Sequence, residues 1–206
     1  MTIIASNHSP KVILASASKT RATLLKNAGI DAICDPAYVD EDAVKNSLAY
    51  EGANATQVAE TLAELKATTV SHRHKDAYVI GADQTLDCDG VWFDKPEDMA
   101  QAKDNMKALR GKTHHLNAAV AIVKNGQTVW HYNEAASLTM RDFSNDFLDY
   151  YLGICGEDIC LSVGGYQLEG AGSQLFSSIQ GDYFTILGLP LLPLLDFFRH
   201  HGVVRL

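Results

Sequence analysis

The segment VIGADQTLDCDGVWFDKPED, residues 79–98, decides how this chain is read. Asp83, Asp87, Asp89 and Asp94 fall within one short stretch, and Lys95 follows the last of them. The apolar run at 77–82, ending in the small pair Gly81-Ala82, predicts a buried strand. Asp89-Gly90 between two apolar runs predicts a hairpin over 85–94 with a two-residue turn. Its arms are similar in length, so Asp94-Lys95 return to the place the chain left at Asp83-Gln84. A carboxylate at the end of a buried strand and an ammonium at the return then face one site. There Asp83 can bind a divalent metal or accept a proton from water, and Lys95 can neutralise phosphate charge. Asp87 and Asp89 fall near the far tip as turn residues.

LDCDGV also invites a competing reading. An apolar strand followed by DxDG[TV] resembles the nucleophile loop of haloacid-dehalogenase-type phosphatases, which would make Asp87 the phosphorylated residue and Asp89 the acid/base. That loop normally closes the first strand of its domain, whereas this one lies deep in the chain. The Asp-Gly pair suits a tight hairpin turn better.

Working outward, KVILAS (11–16) predicts a strand that passes through ASAS into a helix, TRATLLKNAG, stopped by Gly29. Residues 31–50 read as mostly loop, with a short strand near 31–35. A long helix follows at 54–72. Beyond the hairpin come a helix at 97–109 and two long strands, 112–124 and 127–142, joined at Asn125-Gly126. A helix begins after the Ser144 cap, a glycine-rich loop covers 164–173, and a strand at 173–180 precedes a final helix. Alternating helices and strands with inserted hairpins predict an α/β fold, a mixed central sheet flanked by helices. The 206 residues read as one domain, with room for two lobes around a cleft.

Composition excludes several function classes. The chain is 47% apolar and 20% charged, with a net charge of −8. Its Lys and Arg residues are scattered, which leaves no basic footprint for duplex nucleic acid. Cys34, Cys88, Cys155 and Cys160 form no CxxC pair and read as reduced thiols of a cytoplasmic protein. Polar residues Asn7 to Lys11 break the apolar stretches of the N-terminus, so no signal peptide is expected. ILGLPLLPLLDFF (186–198) is too short and too interrupted to span a bilayer and reads as a core-packed helix. The paired histidines (72/74, 114/115, 200/201) form no metal box and read as solvated surface, and no GxSxG supports serine catalysis.

Two further segments carry chemistry. In LASASKTR, a strand enters a helix through small residues, leaving free backbone N–H groups as a phosphate seat. Ser16 and Ser18 add hydroxyls, and Arg21 can reach back to a phosphate oxygen; the plain alternative is a Ser cap with a solvated Arg. In the long helix, Lys66 shares the helical sector of Ala55, Val58, Ala59, Leu62 and Val70. Such a lysine either snorkels to water or points its ammonium into a cleft against phosphates.

Taken together, four blocks resemble the Maf family of nucleoside triphosphate pyrophosphatases along nearly the whole chain. They are ILASASxxR…LL…GI (13–30), IGADQT…DKP (80–96), ALRGKTH (108–114) and GGYQLEGAG…IQGDYFTILGLPL (164–191). The resemblance implies hydrolysis between the α and β phosphates, a divalent cation (Mg, Mn or Co), removal of modified or non-standard nucleotides, and a homodimer. It makes Asp83 the catalytic proton acceptor and Glu41 an acidic residue that helps bind metal or activate water. Arg21, Lys66 and Lys95 become phosphate-binding residues, with Ser16 and Ser18 the serines of the first loop. The family's SPRR is here Ser18-Lys19-Thr20-Arg21, its Asp-Thr is Asp83-Gln84, and its IQG is Leu168-Glu169-Gly170. The last two changes resemble the subgroup that prefers 7-methyl-GTP over the one that prefers dTTP and UTP. A carboxylate at 169 suits guanine's ring N–H and amine, whereas uracil and thymine flank one donor with two acceptors. The methylguanine subgroup, however, tends to carry an aromatic where Thr20 stands, which leaves the base open, with a guanine-type base first and a pyrimidine next. The alternative from another class is a nucleotide-binding regulator of cell division with little turnover.

Overall fold

The computed structural model describes residues 10–205. Residues Asn7, His8 and Ser9, which entered the reading of the N-terminus, lie outside them. Among the described residues the strands form a seven-stranded mixed sheet in the order β2-β1-β3-β5-β6-β7, with β4 paired to β3. The mixed α/β architecture expected from the sequence is therefore present, with helices packed on the strands.

The chain divides into two compact units. The first comprises the residues up to Asp83, then Ala118–Asn133 and Gly188–Leu206; the second comprises Gln84–Asn117 and Glu134–Leu187. Strand β3 (Tyr78–Cys88) passes from the first to the second between Asp83 and Gln84.

In the first unit β1 (Val12–Leu14) lies parallel to β2 (Ile33–Cys34) and to the first half of β3, with Ile13 opposite both Ile33 and Val79. Helix α1 (Lys19–Asn27) supplies the crossover from β1 to β2. Helix α2 (Glu41–Tyr50) corrects the expectation of loop over 31–50. None of its residues is buried, and its less exposed face of Glu41, Val44, Lys45 and Leu48 holds only the apolar pair Val44 and Leu48, a weak signal for sequence periodicity. Its signal was in the start: Asp40 accepts the Ala43 N–H at 3.0 Å, and Glu41 and Asp42 follow in the first turn.

Helix α3 (Ala55–Ser71) opens on a reciprocal cap between Asn54 and Gln57, both bonds 2.9 Å long. Its apolar face joins β1, β3 and β5 (Thr113–Lys124) in a core of Ile13, Ala67, Val70, Val79 and Val123. Beside it, Ala59 and Ala63 meet Ala119 and Ala121. Small residues let the backbones come close, and closest at Gly81. A Cβ built there would lie 2.0 Å from the Ala63 carbonyl oxygen and 2.7 Å from the Ala67 nitrogen.

The second unit holds the rest. β4 (Val91–Phe93) pairs antiparallel with the end of β3, Leu86 opposite Phe93. Asp89 at φ 57° and Gly90 at φ 81° close the turn. Asn125 and Gly126 repeat the device between β5 and β6 (Gln127–Met140). Helices α4 (Met99–Leu109) and α5 (Asn145–Cys155) enclose a core with Leu86, Leu116, Leu138, Tyr151 and Phe176. The glycine-rich stretch is largely 3-10 turns rather than open loop, leading to β7 (Phe176–Gln180) beside β6.

The 186–198 run is two pieces, not one helix. α6 (Tyr183–Ile186) ends at Leu187, and α7 (Leu191–His200) starts beyond Pro190, because proline lacks the N–H a continuous helix needs. α7 is core-packed through Leu194, Phe197 and Phe198. No helix among the described residues is long and apolar enough to cross a membrane.

Gly81→Ala tests the α3–β3 approach. Since backbone rather than a flexible side chain blocks the added methyl, the substitution is expected to cost about 3 kcal/mol or more. Urea unfolding reads it directly, and a loss under about 0.5 kcal/mol would contradict the geometry.

Candidate active site

Within the first unit, side chains singled out in the sequence converge on Asp83, midway along β3. Val79, Gly81 and Asp83 alternate onto one face of the strand, the face on which α3 lies. With α3 seated against Gly81, Lys66 lies one turn beyond Ala63 and next to Ala67, and reaches Asp83. Its Nζ lies 2.6 Å from Asp83 Oδ1 and 2.8 Å from Glu41 Oε1. Lys66 and Asp83 are 7% and 5% exposed, so the pair is buried; Glu41, at the first position of α2, is partly open to solvent. The lysine on the apolar face is therefore held by carboxylates and does not snorkel to water. A buried pair of this kind is costly to break from one side, because the survivor is left charged without compensation.

Arg21 frames the same corner. Its Nε donates to the Gly188 carbonyl at 2.7 Å, and its Nη1 to the Ala82 carbonyl at 2.8 Å and to Ser16 Oγ at 3.3 Å. Burial lowers the guanidinium pKa from its ordinary value, opposed by the charges of Asp83 and Glu41. Ser18 is the N-cap of α1 and accepts the Arg21 N–H at 3.3 Å, while Ser16 Oγ accepts the Ser18 N–H at 3.2 Å. Both hydroxyls thus work within the loop, and Arg21 is fixed in place. Thr20, half-buried, stands in the first turn of α1.

The other candidates belong to the second unit. Gln84 donates through Nε2 to the carbonyls of Thr185 and Ile186, at 2.9 and 3.1 Å. Thr185 in turn donates its hydroxyl to Glu134 Oε2 at 2.8 Å. Glu134 escaped the sequence reading; Asp182, which caps α6 by accepting the Thr185 N–H at 2.9 Å, was the available pointer to that cluster. Lys95 is exposed just past β4. Glu169 is exposed on a turn folded back so tightly that a Cβ on Gly172 would lie 2.3 Å from the Gln167 carbonyl oxygen. Gln167 pins that turn by donating to the Asp158 carbonyl at 3.0 Å.

Asp87 and Asp89 are turn residues: Asp87 Oδ1 accepts the Gly90 N–H at 3.3 Å, and Asp89 sits at positive φ. All four cysteines are free thiols. The histidine reading needs correction at two places. His74 bonds Asp35 at 2.7 Å, and His114 is fully buried. Alternation along β5 turns His114 inward and His115 out, a period that the polar tripeptide Thr113-His114-His115 conceals. His114 Nε2 hydrogen-bonds Tyr166 Oη at 2.7 Å.

As for a metal, no group of three or more His, Cys, Asp or Glu side chains among the described residues is placed to hold one. Glu41 and Asp83 nonetheless converge on a single cationic atom. Magnesium-type ions take one or two carboxylates and complete their shell with water and phosphate oxygens. This pair of hard oxygen donors fits such an ion.

The comparison with known families is decisive. The family model described as "Maf: Maf-like protein" matches residues 11–201. This chain belongs to the Maf-like family. A "Nucleoside triphosphate pyrophosphatase" of Paramagnetospirillum magneticum is 60% identical over 190 residues, covering 92% of this chain and 98% of that protein. A "7-methyl-GTP pyrophosphatase" of Rhizobium etli is 47% identical over 195 residues, covering 95% and 98%. Among solved structures, a dITP/XTP pyrophosphatase of Mycobacterium abscessus aligns over 93% of this chain and 94% of its own at TM-score 0.42 and 14% identity. That likeness is too distant to bear on the site.

His114 gives the second unit a pH signature. Burial pulls its pKa from the usual 6.5 to about 4, so the neutral ring is the folded form. A depressed histidine pKa contributes stability that is complete above the unfolded value of 6.5 and lost as pH falls toward 4. Relative to His114→Gln, the wild type is expected to lose about 3 kcal/mol across that window. Parallel pH profiles for the two proteins would contradict it.

Proposed function

We propose that this Maf-like enzyme hydrolyses a guanine-type nucleoside triphosphate, 7-methyl-GTP first and a pyrimidine such as UTP or dTTP next, to the monophosphate and pyrophosphate. The general activity, nucleoside triphosphate pyrophosphatase, is the one its relatives are named for. One observation carries the reading: a buried carboxylate, Asp83, shares a lysine with a second carboxylate at a helix start.

Each group has work in the reaction. Water adds across the α–β anhydride; its oxygen bonds phosphorus, the bridging bond breaks, and its proton passes to Asp83. Glu41 orients that water or joins Asp83 in holding the divalent ion. When bound, that ion polarises phosphate oxygens and neutralises part of their charge. Lys66 and Arg21 balance the rest, which matters because the transition state spreads charge over oxygens rather than offering covalent chemistry to the protein; Lys95 keeps the phosphate-binding role that the family resemblance gives it. Ser16 and Ser18 with the α1 start line the phosphate seat.

Selectivity falls to the second unit. Glu169, held outward on its pinned turn, accepts hydrogen bonds from the guanine ring N–H and amine, and repels the carbonyls that flank the pyrimidine imide. Gln84 positions the Thr185 segment; Thr20, in the first unit, keeps the selectivity role that the family resemblance gives it. In the cell the activity would clear modified or non-standard nucleotides; a homodimer of cytoplasmic location completes the proposal.

Two substitutions test it. Asp83→Asn is expected to lower kcat about 10³-fold with nucleotide binding changed only a few-fold; retained turnover would remove the assignment. Glu169→Gln is expected to cut the preference for 7-methyl-GTP over UTP about tenfold in kcat/KM. An unchanged ratio would place base reading elsewhere.

A further inference from the structure

The Lys66 ammonium stands where the divalent ion of the proposed reaction would be expected. It touches one oxygen of each carboxylate, at 2.6 and 2.8 Å, and is almost fully buried. The helix that carries it is packed backbone to backbone on β3 at Gly81. The side chain is the part that can yield, and its flexible four-carbon stem gives it several places to go.

Charge balance says when it yields. Glu41 and Asp83 bring two negative charges, and Lys66 brings one positive charge in direct contact. Arg21, hydrogen-bonded to the Ala82 carbonyl beside Asp83, brings a second. These four charges sum to zero. A divalent cation entering alone would meet an ammonium already seated on both of its donors and would leave a large uncompensated positive charge in a buried place. A triphosphate changes both terms: it adds negative charge, and it offers Lys66 oxygens as good as the carboxylates it leaves.

Building on the proposed function, we infer that Lys66 is a resident stand-in cation that keeps a metal off Glu41 and Asp83 until the triphosphate draws it away. The metal and the nucleotide then load together, and the nucleotide-free protein binds the metal poorly. Lys66 has two successive partners, carboxylates before loading and phosphate afterwards. The placement also prevents a tightly held metal from activating water in the absence of substrate.

The test is Mn²⁺ binding without nucleotide, followed by the electron paramagnetic resonance signal of free Mn²⁺. Wild type is expected to show no site tighter than the millimolar range. Lys66→Met, which removes the charge and keeps the stem, is expected to gain one site that is at least about tenfold tighter. Lys66→Arg, still cationic, is expected to stay weak, and Lys66→Met with Asp83→Asn to lose the gained site. Where Lys66→Met fails to show a cooperative melt, the wild-type titration still decides: micromolar Mn²⁺ binding by the nucleotide-free protein, abolished by Asp83→Asn, would overturn the inference. Equal Mn²⁺ affinity in folded wild type and Lys66→Met would do the same. These readouts are independent of turnover. A chain that hydrolyses no triphosphate yet gains the site in Lys66→Met keeps the stand-in cation and loses the functional reading. Turnover in a wild type that binds Mn²⁺ tightly by itself does the reverse.

Discussion

The contact of α3 with β3 over Gly81 is the constraint on which the site depends. A side chain at that position would collide with helix backbone, not with a flexible neighbour. Its absence sets the height of α3 above the strand, and the height sets what Lys66 can reach. Two residues on, the same strand face presents Asp83, and the ammonium and carboxylate meet at 2.6 Å out of solvent. The alanines of α3 and β5 serve the same end by keeping the layer thin. A site that needs a lysine inside an apolar face is thus made affordable by small residues around it.

Buried charge also explains the course of β3. An apolar strand would be expected to end before Asp83-Gln84, and here it continues to Cys88. Asp83 is compensated by Lys66, and the Gln84 amide is satisfied by the Thr185 and Ile186 carbonyls. The two polar residues fall where β3 passes from the first compact unit to the second. In the proposed reaction, consecutive positions of one strand then carry different jobs, proton transfer at Asp83 and the base-side segment at Gln84. Their side chains point to opposite faces, as strand geometry requires.

Much of this was legible in the residues, for definable reasons. Asp89-Gly90 and Asn125-Gly126 declared their turns because few other residues accept positive φ. Lys66 declared itself because helical phase is insensitive to what the lysine does there. Three features were hidden. Helix α2 has no buried residue and only the pair Val44 and Leu48 on its inner face, so its Asp40 cap was the stronger sign of it and of the placement of Glu41 at a helix start. His114 sits in a polar tripeptide whose inward member is visible only once the strand's register is known. Arg21's anchors are main-chain carbonyls at Ala82 and Gly188, and carbonyls leave no trace in the residue types.

In the proposed reaction this corner splits a triphosphate between its α and β phosphates. The most direct measurement is product identity: purified protein with 7-methyl-GTP and the common triphosphates, Mg²⁺, Mn²⁺ or Co²⁺, and nucleotides, pyrophosphate and orthophosphate resolved separately. Monophosphate and pyrophosphate in equal amounts, fastest from 7-methyl-GTP, is the predicted result. Diphosphate with orthophosphate, or binding with no turnover of any triphosphate, would contradict it.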